Sequence, residues 1–147
     1  MRNLILFFHL AGAIFWMGGM SFMVLALRGP VSQLQPPVRL PLLLHVLSRF
    51  FTVVAISITV LLASGLLLML PAGMGAAAPG WNAMAGLGLL MMLIFGHIFF
   101  VPYRRLKRAV AAGDWPAGGK HMAQITLLVK GNLGLGWLAI AAVVLWR

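Results

Sequence analysis

The chain has 147 residues, of which 63% are apolar and 8% charged, and it carries a net charge of +10 from eleven Lys and Arg against one acid, Asp114. Soluble domains hold about 25% charged residues, so this composition excludes a water-soluble domain and points to lipid as the solvent. A single carboxylate excludes paired-carboxylate hydrolysis, a Ser-His-acid set and a Mg²⁺ site, and the lack of cysteine excludes disulfides, thiolate metal sites and thioether-linked haem.

A bilayer crossing takes about 20 apolar residues. Four stretches are long enough: about Leu4 to Leu27, Leu42 to Leu70, Met84 to Tyr103 and Ile125 to Trp146. Short loops join them, which predicts an all-α fold: one integral membrane domain over residues 1–147, built as an up-down bundle of four transmembrane helices. The first stretch exceeds the ~7–15-residue core of a signal peptide and has no small-x-small cleavage site, so it is read as a retained helix. It carries His9, and helical steps from His9 reach Gly12, Ala13, Trp16, Gly19, Met20 and Met23. A ligand-capable imidazole therefore shares a face with small, aromatic and thioether groups.

The segment from Arg28 to Pro41 is expected to be a loop, because Gly29-Pro30, Pro36-Pro37 and Pro41 interrupt helical continuity. The second helix follows, with His45, Arg49, Thr52 and Thr59 on one face as a polar stripe. The loop from Pro71 to Asn82 is uncharged. The third helix carries His97 and ends at Pro102-Tyr103-Arg104-Arg105. The segment from Arg104 to His121 is read as a basic loop with His121 in solvent and Asp114 within reach of one cation. The fourth helix carries Lys130 and Asn132. Arg28, Arg39, Arg104, Arg105, Lys107, Arg108 and Lys120 concentrate in the first and third loops. By the positive-inside rule those loops are cytoplasmic, and both termini lie on the periplasmic side, with Arg2 and Arg147 as weak dissent. The same placement explains the charge without nucleic acid. Gly12, Gly19, Gly65, Gly96 and Gly134 are available for close helix contacts.

Arg49 and Lys130 fall inside apolar runs, where a cation costs at least ~2.5–3.5 kcal/mol at the bilayer centre unless it finds a partner or snorkels to the interface. With no glutamate in the chain, both are expected to face the bundle interior and hold an anion from outside it, such as the carboxylates of a porphyrin. Any one intramembrane histidine is more often a packing residue than a ligand. His9, His45 and His97 on three helices nevertheless offer axial ligands for haem iron, with Met20 or Met84 as an outer partner of His9. Met17, Met20, Met23, Met91 and Met92 supply thioethers, soft donors that select Cu(I), although methionine also fills apolar gaps.

These residues carry a resemblance. His9-Leu10-Ala11-Gly12 through Trp16-Met17-Gly18-Gly19-Met20, Ser48-Arg49-Phe50-Phe51, Ala63-Ser64-Gly65, Gly86 to Met92 with Gly96-His97, and above all Ala112-Gly113-Asp114-Trp115-Pro116 resemble the CopD family of small membrane proteins, over nearly the whole chain. More distantly the chain is similar to the HemJ-type protoporphyrinogen oxidases. His9 and His97 match that family's histidines, and Asn132 partly matches the motif that opens its fourth helix, although Leu133 stands where that motif has an acid. The HemJ-type resemblance implies haem b and oxidation of a porphyrinogen, and the CopD name implies copper.

Together these readings favour a haem b-binding redox protein, an oxidoreductase acting on a porphyrin or a quinone, as a multi-pass protein of the bacterial inner membrane. In it His9 and one of His45 or His97 ligate iron, Met20 is a further metal donor, and Arg49, Lys130 and Asn132 bind the cofactor. The alternative is a copper-handling membrane protein using His9, Met20 and Met23. A third reading is a structural subunit of a membrane complex. The expected partner is the lipid bilayer, with a homo-oligomer as a further expectation.

Overall fold

The computed structural model describes residues 1–72 and 78–146. The middle of the expected uncharged loop and Arg147 lie outside them. Among the described residues there is no strand. Four helical spans are long and apolar enough to cross a membrane: α1 (Arg2–Ser32), α2 (Pro36–Met69), a third span broken at Val101 into α3 (Pro79–Phe100) and α4 (Pro102–Ala111), and α5 (Trp115–Leu145). The chain is thus a multi-pass membrane protein. Its outer surface is itself apolar, with Phe7, Phe15, Leu25, Leu93, Leu127 and Leu145 all exposed, as lipid requires.

The helices extend further than hydropathy predicts, because most of the prolines start helices instead of interrupting them. Pro36 and Pro37 open α2, Pro79 opens α3, Pro102 opens α4 and Pro116 falls in the first turn of α5. A proline there forfeits only an N–H that has no helical partner, and its φ is already helical. Pro30 lies inside α1, directly after a π-helical turn at Phe22–Leu27. That wider turn absorbs the missing donor and the ring's clash with the preceding turn. Val101, forced out of helical geometry by the following Pro102, has φ −112° and ψ −83° and divides α3 from α4.

The basic segment read as a loop is therefore mostly helix. On α4, Tyr103, Leu106 and Ala109 are buried while Arg104, Arg105, Lys107 and Arg108 are exposed, an amphipathic pattern. The Ala-Gly-Asp-Trp-Pro motif is the hinge between α4 and α5. Gly113 adopts φ +68°, the left-handed cap that only glycine takes without strain, and the Asp114 N–H bonds back to Ala109 O at 2.9 Å. Asp114 then caps α5, its Oδ1 accepting from the Ala117 N–H at 3.1 Å. The carboxylate expected to meet a cation is a helix N-cap.

α1 packs chiefly on α2, and α3 and α4 pack chiefly on α5, so the bundle is two helical hairpins laid together. The seam is filled by Trp16, Met20, Leu47, Phe51, Met91, Ile98, Leu106 and Ile125. Phe51 lies at its centre, edge-on to Phe95 at 5.4 Å and to Tyr103 at 4.8 Å between ring centroids. Up-down order brings Arg28, Arg39, the α4 cations and Lys120 to one end, the basic end.

Candidate functional site

The face of α1 chosen from its sequence is the face that α1 buries. Gly12, Trp16 and Met20 are buried and His9, Ala13, Gly19 and Met23 half-buried. It is a helix contact with one polar feature. His9 meets α2 at Ser64, Nδ1 to Oγ 2.9 Å, and its ring lies over Gly65, where a Cβ would make ordinary contact with Cε1 at 3.5 Å.

The tautomer follows from proton counting. Ser64 Oγ has one proton and donates it to Val60 O, 2.5 Å away, with Leu61 O farther off at 3.4 Å. With that proton directed to Val60 O, the tautomer that completes the His9–Ser64 bond carries its proton on Nδ1. In that tautomer Nε2 keeps its lone pair, and besides Ser64 the ring's one further hydrogen-bond partner among the described residues is the Leu61 backbone. An imidazole fixed through one nitrogen and open at the other is the arrangement of a metal-ligating histidine.

Two turns deeper on α1, Met17 reaches across to α5. Its thioether sulfur lies against Gly136, where any Cβ would collide with it, and the Met91 methyl from α3 lies 3.2 Å from the same point. Gly136 thus brings thioethers from α1 and α3 together at mid-bundle, with Met20 buried one turn further along α1. Asn132, one turn from Gly136 on α5 and 2% exposed, donates from Nδ2 to Met91 O at 3.4 Å, while its Oδ1 is buried without a partner. It lies in the middle of α5, not at its opening.

The remaining expected site residues lie apart from this axis. His45, Arg49, His97 and Lys130 are all exposed on the surface of the chain, as are Thr52 and Thr59. The expectation that Arg49 and Lys130 face the bundle interior is not met. The physical reason is that both threonines satisfy themselves, donating to Ser48 O and Ala55 O of their own helix at 3.1 and 3.0 Å, and the two long cations can snorkel. Met84 is half-buried on α3. His121 is not in a loop: it is helical and half-buried, and its Nδ1 is buried without a partner. Gly96 and Gly134 face open space and Gly65 meets only ordinary contact; beside Gly12 and Gly19 the close contacts fall at Gly80, Gly118 and Gly136.

This arrangement does not fit haem. His45 and His97 cannot face His9 across an interior, and no histidine lines the cavity beside Arg28 and Arg39 or the one beside Arg2 and Trp81. Among the described residues no group of three or more His, Cys, Asp or Glu could hold a metal. What the interior does offer is one open imidazole nitrogen and several thioethers. Ser64 and Gly136 were not singled out for these roles. The small-residue pair Ser64-Gly65 in an apolar run was a usable signal for the first, but Gly136 depends on a helix register that no local pattern carries.

Comparison with curated proteins and with solved structures gives no match. The family model described as Copper resistance protein D matches residues 44–146, most of the chain, and the chain belongs to the CopD family.

Proposed function

We propose that this chain handles copper in a bacterial inner membrane, binding Cu(I) inside the bundle and passing it along α1. The observation that carries the reading is the His9 imidazole, tied through Nδ1 to Ser64 and open at Nε2. Cu(I) is soft and is satisfied by few ligands, so imidazole and thioether suit it where carboxylates are lacking. Met17 and Met91 beside Gly136 form the next station, about 12 Å along α1 from His9 at 1.5 Å per residue; Met20 and Met23 continue the line toward the basic end. The positive-inside rule puts that end in the cytoplasm and His9 in the periplasmic half, away from the cations that would repel an arriving Cu(I).

The test is Cu(I) binding by the detergent-purified full chain in competition with a chromophoric Cu(I) chelator. The expected result is stoichiometric binding that His9→Ala weakens sharply and Met17→Leu/Met91→Leu weakens further. Wild-type affinity in both variants, or no binding by the parent, sinks the proposal. A stoichiometric, reducible Soret band in the same preparation would return the haem reading.

A further inference from the structure

At the basic end, the last turns of α1 and the first turns of α2 and α5 enclose a cavity of about 240 Å³. Arg28, Arg39, Ser32 and Thr126 supply its polar lining, and Leu43 and Val129 are among its apolar walls. A ~46 Å helix of 31 residues overreaches a ~30 Å hydrocarbon layer, so this end of the bundle lies at headgroup depth.

The hydrogen-bonding inventory selects the ligand's charge. Ser32 Oγ gives its proton to Gly29 O at 2.6 Å, and Thr126 Oγ gives its proton to Met122 O at 2.9 Å. The free donors are therefore the two guanidinium groups. Arg39 spends one nitrogen on a long 3.5 Å contact to Ser32 O, and Arg28 has no partner among the described residues. The chain's one acid is engaged as the α5 cap and neutralises neither. Met23 and Met122 also line the cavity and extend its apolar wall.

We propose that this cavity seats the phosphodiester headgroup of an anionic phospholipid. Arg28 and Arg39 hold the phosphate, which arginine's planar fork suits, and an acyl chain follows the apolar wall between α1 and α5. A cavity that is cationic at headgroup depth and apolar on its bilayer side is complementary to such a lipid along its whole length.

The experiment is native mass spectrometry of the full chain in detergent, titrated with phosphatidylglycerol or phosphatidylcholine. One phosphatidylglycerol should bind in preference to phosphatidylcholine. Arg28→Gln/Arg39→Gln should weaken it by roughly 10- to 30-fold, the scale expected for two juxtamembrane arginines. Arg104→Gln/Arg105→Gln, exposed on the same end and outside the cavity, should leave it unchanged. Gly119 lines the cavity and faces open space, so Gly119→Leu fills the site without altering charge and should also abolish the adduct. The proposal is overturned by equal binding of the two lipids, by equal loss in the Arg104/Arg105 control, or by full binding in Gly119→Leu. Displacement of the lipid by millimolar inorganic phosphate alone would make free phosphate the ligand and overturn the assignment to lipid.

Discussion

The two faces of α2 carry the same helical spacing with opposite fates. Leu47, Phe51, Val54 and Ser57 are buried, whereas His45, Arg49, Thr52 and Thr59, offset by two residues, are exposed. In water the polar stripe would be the outer face without argument. In lipid the rule that polar groups turn inward made it the expected lining of a cofactor site, and the fold does the reverse. Lipid tails and leucine are equally apolar, so close packing decides which face goes inward. Phe51 sits among the rings of Phe95, Phe99 and Tyr103, and Gly19 of α1 gives up its side-chain space to Phe50. Polarity is no obstacle outside when hydroxyls bond their own helix and the cation can reach an interface.

That comparison is broken most directly at Phe51. Phe51→Ala should cost about 3–5 kcal/mol, as for other buried aromatic truncations, read as loss of stability in a mixed-micelle unfolding titration. A cost near zero would mean the aromatic face does not organise the bundle. Next in size is Gly136→Leu, which drives a side chain into Met17 and Met91. Overpacking of this kind costs about 1–3 kcal/mol, and it should lower Cu(I) affinity at the same time. Retained affinity together with lost stability would remove Met17 and Met91 from the copper path and leave them as packing. Ser64→Ala is smaller in stability, about 1 kcal/mol, but it frees the His9 ring. Removing the group that orients a metal-bound histidine weakens affinity roughly 10- to 100-fold, so Cu(I) competition should show a clear loss. An unchanged affinity would mean that Ser64 does not set the imidazole.

The four crossings were legible because a bilayer imposes one composition on every span, and the buried face of α1 was legible because Gly12, Trp16 and Met20 recur at helical steps. The helix ends are not, because a proline such as Pro36 or Pro102 reads as a breaker in the sequence unless its position in a helix's first turn is known. The burial of Tyr103, Leu106 and Ala109 against an outer row of cations was a helical signal hidden by the segment's charge. The site was half legible. His9 stood out by residue type, but its Ser64 partner and the Gly136 contact with Met17 arise from how α1 registers against α2 and α5. Arg49 and Lys130 misled because intramembrane charge signals cost, and cost alone does not say which way a side chain turns.

The smallest expected effect is also the most discriminating test of that last point. Arg49 lies about 20 Å from the start of α2, a helix about 50 Å long at 1.5 Å per residue, in the half nearer the basic end. If its face meets lipid, Arg49→Leu removes a snorkelling charge from a position with no intramolecular partner among the described residues. Stability should then change by no more than about 0.5 kcal/mol, the range of surface substitutions, and Cu(I) affinity should not change. A cost well above that would require a partner the single chain does not contain. The natural one is a second copy bringing its own polar stripe of α2, and cross-linking of cysteines introduced at Thr52 and Thr59 would then capture a dimer that Arg49→Leu disperses. Neutrality with no cross-link assigns the stripe to lipid.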